Sequence, residues 1–171
     1  MVFVLVLVAA VIYRSLGSAQ TGTGSLTLAQ PAPNQGQKAP EFIAKDINGR
    51  DFEIKSKGIY VLTFWSTLNK GASDARPGFS RLAGEYKKDG VSFAAVYVNG
   101  APSENESAPY AVIQDSAGRL ASRYNVKRVP RLFLIQDGTI EMVQNGFYEG
   151  SNKDLQDKLG EILDEQAKKS S

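Results

Sequence analysis

The chain has 171 residues, the size of about one domain. Hydrophobic residues make up 42% and charged residues 22%, ordinary globular usage that argues against wholesale disorder. A net charge of +2 gives no electrostatic reason for a nucleic-acid partner. Cys and His are both absent. That excludes disulfides, thiolate chemistry, iron–sulfur clusters, Cys- or His-ligated metals and Ser-His-Asp or Cys-His triads. Carboxylates, Lys, Tyr and hydroxyls remain for chemistry, and neither a cofactor nor a metal is expected.

Residues 1–16 read as a membrane anchor or signal segment. Met1 to Tyr13 carries no charge, and at 1.5 Å per residue it spans roughly 20 Å, short of the ~30 Å hydrocarbon core. Arg14 can snorkel and so lengthen the span to Leu16. The alternatives are the apolar core of a cleaved signal, with Gly17-Ser18-Ala19 as small residues at the cut, or a buried helix. Arg14 lies on the wrong flank for an outward-facing domain under the positive-inside rule. Residues 17–38 are rich in Ser, Gly, Thr, Gln, Ala and Pro, with no charge or aromatic from Gly17 to Gln37, and read as a flexible tether.

A folded domain is expected over 39–167, followed by a short tail at 168–171. Ile59 to Trp65 and Val91 to Val98 are uncharged, β-branched and aromatic runs, the pattern of strands buried on both faces. Between them Phe79, Leu82, Ala83 and Tyr86 repeat at helical spacing, and Gly90 is a stop signal. Strand, helix, strand over this length implies a parallel crossover. Tyr110 to Gln114 suggests a third short strand, and Leu120, Ala121 and Tyr124 a short helix ending at Asn125. Leu132 to Ile135 and Ile140 to Val143 flank Asp137-Gly138 as a hairpin. Leu155, Leu159, Ile162 and Leu163 form a last amphipathic stripe, entered at Ser151 with Asp154 three residues on, a pattern like a capping box. The result is an α/β domain with a mixed central sheet and helices on both faces.

These residues carry a resemblance. Ala39-Pro40-Glu41-Phe42, Asp46-Ile47-Asn48-Gly49, Lys57-Gly58, Leu62 to Thr67, Pro77, Tyr124-Asn125-Val126, Val129-Pro130, Phe133-Leu134-Ile135, Asp137 to Ile140 and Gly146 occur in an order that resembles the thioredoxin fold. More closely, they resemble the membrane-tethered thiol-disulfide oxidoreductases of the TlpA/ResA type and the related redoxin group. The resemblance implies a domain held outside the membrane, periplasmic or on the outer face; secretion after signal cleavage is the alternative. It also implies a cis peptide at Val129-Pro130.

The departures bear on activity. The family's Trp-Cys-x-x-Cys segment corresponds here to Leu68 to Ala72, with Asn69 and Ala72 on the two cysteine positions. Ala75 replaces an acid often found there, Pro77 remains, and Arg131 stands where Thr commonly follows the cis-Pro. The connection from Asn99 to Tyr110 is shorter than in relatives that insert a helix. Disulfide exchange needs an attacking thiolate and a resolving thiol, so no catalytic residue is assigned.

The vacated site supplies binding candidates instead, namely Trp65, Asn69, Lys70, Arg128, Val129 and Arg131 around Pro130. Asn69 suits a helix N-cap or, with free helix N–H groups, a contact to a carbonyl or anion. The Val129-Pro130 corner suits either strand-like peptide docking or a turn that the fold requires. Lys70, Arg128 and Arg131 are expected to converge as a positive patch or to be ordinary solvated charges. Trp65 is expected in the core or lining a groove. Asp115 and Asp137 fit turn chemistry better than an acid/base pair, and Glu104 and Glu106 fit solvated loop positions.

Three functions follow as expectations. The first is a redox-inactive module that binds a protein or peptide at the vacated face. The second is a structural subunit of an envelope redox or cytochrome-maturation assembly, using another surface. The third, a cysteine-free enzyme, lacks any visible general-base constellation.

Overall fold

The computed structural model describes residues 33–100, 108–148 and 150–169. The expected anchor at 1–16, most of the tether, and Glu104 and Glu106 lie outside them. Among the described residues no helix is long and apolar enough to cross a membrane.

Strand β3 (Ile59–Trp65) is buried at every position, as its uncharged sequence predicts. It pairs in parallel with β4 (Val91–Tyr97) and antiparallel with β6 (Arg131–Gln136). Strand β5 (Ala111–Gln114) extends the sheet beyond β4, and β7 (Thr139–Asn145) extends it beyond β6, giving the order β5-β4-β3-β6-β7. The mixed sheet expected from the sequence is therefore present.

Alternate residues of β3 enter two separate cores, because successive strand side chains point to opposite faces. Ile59, Val61 and Trp65 pack with Phe79 and Leu82 of α1 (Lys70–Tyr86) and with Leu155, Leu159 and Ile162 of α3 (Ser151–Lys169). Tyr60, Leu62 and Phe64 pack with Phe133, Ile135, Tyr124, Phe42 and Phe52. This second face is covered by the short helix α2 (Arg119–Arg123) and by an antiparallel pair, β1 (Phe42–Lys45) with β2 (Asp51–Ile54). That β1–β2 pair is not among the elements predicted above.

Turn chemistry sets the connections. After α1 a 3₁₀ turn over Lys87–Asp89 ends at Gly90, whose φ of 78° lies in the left-handed region, the expected stop. Asp137 and Gly138 both have positive φ, 48° and 77°, the backbone of a two-residue hairpin turn. Asp137 also accepts a hydrogen bond from the Gly58 N–H at 3.0 Å. Asp115 is buried and accepts from the Ala121 N–H at 2.8 Å, tying down the start of α2. Both acids thus hold turns.

Three details correct the expectations. The tether does not extend to residue 38: Gly36 and Ala39 donate to the carbonyls of Ile140 and Gly138, and Ile140 donates to that of Gln37. Such backbone pairing beside β7 leaves no side-chain signature. The last helix runs to Lys169, into the expected tail. At its start no capping box forms, because the Ser151 hydroxyl accepts from the Tyr148 N–H and the Asp154 carboxylate accepts from the Tyr148 hydroxyl.

Candidate functional site

The C-terminal end of β3, the start of β6, the first turn of α1 and the loop preceding β6 meet at one end of the sheet. Asn69 is the N-cap of α1: its backbone is extended and its side-chain oxygen accepts from the Gly71 N–H at 2.8 Å. This satisfies one of the orphan donors of the first turn. Its amide nitrogen donates in turn to the Val129 carbonyl at 2.9 Å. One side chain therefore caps the helix and clamps it to the loop carrying Pro130.

The Val129-Pro130 peptide is cis, as the resemblance implies. Gly71 faces it closely, since a Cβ there would stand 3.4 Å from Pro130 Cδ and 3.0 Å from Asn69 Oδ1. The Pro130 carbonyl accepts from the Gly146 N–H at 2.8 Å. Both carbonyls of this corner are thus engaged within the domain. Ala72, on the second of the expected cysteine positions, is buried in the first turn of α1.

The cationic candidates separate. Lys70 does not join the corner; it is exposed on α1 and pairs with Asp74 at 2.8 Å, one helical turn on. Arg131 is not a solvated charge, being only 7% exposed. Its partner in the register is Phe64, and it shares a strand face with Phe133 and Ile135. The guanidinium lies over the Phe133 ring, 5.0 Å from its centroid, and Nη1 donates to the Asn125 carbonyl at 3.2 Å. Burial pushes its pKa down.

Arg128 and Arg131 do come together. With Lys127, Val129, Pro130, Asn145 and Gly146 they line an open concavity of about 470 Å³. Sequence reasoning missed Lys127, although the Lys127-Arg128 pair next to the corner was the available signal.

Trp65 is 1% exposed, with its ring edge-to-face against Phe79, Tyr97 and Tyr110. It is a core residue, because its position in β3 turns it toward α1, and it has no surface to offer a ligand. Behind Pro130 lies a separate small cavity of about 30 Å³, bordered by Trp65, Ala75 and Gln144 among others. Leu68, beside the N-cap, is the most exposed large hydrophobic residue among the described residues, at 86%. Among the described residues no cluster of three carboxylates is placed to hold a metal ion.

The comparisons agree with this geometry. Residues 35–143 match the AhpC/TSA family. The chain is 30% identical over 122 residues to the thiol-disulfide oxidoreductase ResA of Geobacillus kaustophilus, covering 65% of this chain and 69% of that protein. It is 26% identical over 152 residues to ResA of Bacillus subtilis, covering 83% and 80%. The fold superposes with a TM-score of 0.68 on a Chlorobium tepidum structure described as a thiol:disulfide interchange protein DsbE, at 23% identity over 77% of this chain and 99% of that one. The fold is accordingly thioredoxin-like, and the chain belongs to the AhpC/TSA family as a member without cysteine.

Proposed function

We propose that this protein is a redox-inactive thioredoxin-like module that docks a protein or peptide segment at the Asn69/Pro130 corner and takes no part in thiol chemistry itself. On this reading the apolar segment at residues 1–16, uncharged from Met1 to Tyr13, holds the domain at the outer side of a membrane. The observation that carries the proposal is the double role of Asn69. Where the resemblance places a nucleophile stands a side chain that caps α1 and bonds the Val129 carbonyl. An amide and, at Ala72, a methyl cannot form or resolve a mixed disulfide.

Docking is supported by what surrounds the clamp. Leu68 is exposed beside it, and the concavity lined by Val129, Pro130 and Arg131 is open. An extended segment could not use the Val129 carbonyl as freely as in ordinary strand addition, since Asn69 already occupies it. Affinity would rest more on side-chain contacts than on a backbone ladder.

A second surface supports the alternative of a structural subunit. Ile43 on β1 is 66% exposed, beside a groove between β1 and the outer strand β5. A photo-cross-linking residue placed at Leu68 or at Ile43 of the full-length chain, in native membranes, separates the two. A discrete adduct from position 68 and none from 43 is the expected result. Adducts from position 43 alone would move the function to the β1–β5 surface.

A further inference from the structure

Arg131 is a buried cation without a counter-ion. More than nine-tenths of the residue is removed from solvent, and it makes no ion pair among the described residues. Its Nη1 is given to a neutral carbonyl, and its Nε is buried with no hydrogen-bond partner. Holding a charge in this way is costly unless an anion completes the site. A ring face beneath the guanidinium offsets only part of that cost.

The surroundings repeat the same sign. Lys127 and Arg128 line the concavity with Arg131, no carboxylate lines it, and neither of the two makes an ion pair among the described residues. The rest of the lining is apolar or uncharged, from Val129, Pro130, Asn145 and Gly146. At about 470 Å³ the space exceeds what a small inorganic anion fills, and it adjoins the loop that Asn69 ties to exposed Leu68.

We propose that this concavity receives a carboxylate side chain of the docked segment, with Arg131 as its buried anchor and Arg128 and Lys127 as a cationic rim. The inference rests on the docking reading and specifies its chemistry: an acidic, partly apolar peptide whose carboxylate pairs with the guanidinium through charge-assisted hydrogen bonds.

Fluorescence anisotropy on the full-length chain tests it, with a labelled hexapeptide alternating valine and glutamate and its glutamine counterpart as probes. The glutamate peptide is expected to bind at least about tenfold tighter, and the preference to shrink as salt rises. Arg131→Met should abolish the preference. Arg128→Gln, at an exposed position, should reduce it severalfold and keeps the test decisive if the first variant does not fold. Equal binding of the two peptides, or binding of neither, overturns the carboxylate assignment. Displacement of the peptide by inorganic phosphate at concentrations where acetate has no effect would reassign the site to a phosphate group and also overturn it. The docking reading itself stands or falls separately, on the adduct at position 68.

Discussion

Asn69 shows how one side chain can redirect a site. Its oxygen serves the helix and its nitrogen serves the cis-Pro loop, so two elements are fixed by one amide. Asn69→Ala removes the cap and the clamp together, and a loss of about 2 kcal/mol in urea unfolding is expected. Asn69→Asp keeps the acceptor at a helix N-terminus, where negative charge is favoured, but loses the donor to Val129. Its stability should fall between those of wild type and the alanine variant. Equal stability of all three would remove the clamp. The cap was legible in the sequence, because Asn is a favoured first residue of a helix. The bond to Val129 was not, since it joins positions sixty residues apart. The burial of Arg131 is not among the expectations, although its own strand carries the signal. Arg131, Phe133 and Ile135 alternate at period two, which places the arginine on the face that Phe133 and Ile135 turn to their core.

At the scale of elements, long uncharged runs declared themselves. β3 and β4, the stripe of α3 and the Asp-Gly hairpin all stand where their patterns put them. The β1–β2 pair escaped because each strand has only four residues, half of them turned to solvent. Asp46 organises the turn between them. Its carboxylate accepts from the N–H groups of Asn48 and Arg50 and from the Arg50 guanidinium, with contacts of 2.7 to 2.9 Å. Burial pushes its pKa up, but those hydrogen bonds and the Arg50 charge outweigh burial and hold the group below the usual carboxylate range. The folded state therefore binds this proton less readily than the unfolded chain. The stability it contributes is complete above the unfolded value of about 3.9 and is lost as pH falls through the lower folded value. Asp46→Asn should lower stability at neutral pH and flatten the acid limb of a pH–stability curve below about pH 4. An unchanged acid limb would show that Asp46 is not among the groups driving acid unfolding.

For the whole molecule, a thioredoxin-like scaffold persists around a site with no thiol. The two cores, the mixed sheet and the cis corner are all in place, which is why ordered short motifs were enough to expose the fold. The partner surface was less legible, because it depends on which charges the tertiary structure buries. Lys70 pairs with Asp74 at the i, i+4 spacing of a helix and Arg131 follows the period of its strand onto the face of Phe133, whereas the meeting of Arg131 with Lys127 and Arg128 beside the cis corner depends on the tertiary fold. The central claim is that Asn69 and Ala72 stand at the two cysteine positions of the family's redox site. They are one helical turn apart, with the Ala72 N–H bonded to the Asn69 carbonyl at 3.1 Å, a proximity compatible with a short disulfide loop. The direct test is Asn69→Cys with Ala72→Cys, assayed for intramolecular disulfide formation and for exchange with glutathione, beside each single variant. The double variant is expected to form the disulfide and to release it to reduced glutathione, while each single variant stops at a mixed disulfide with glutathione. A folded double variant whose thiols both stay free under oxidising conditions would contradict the claim.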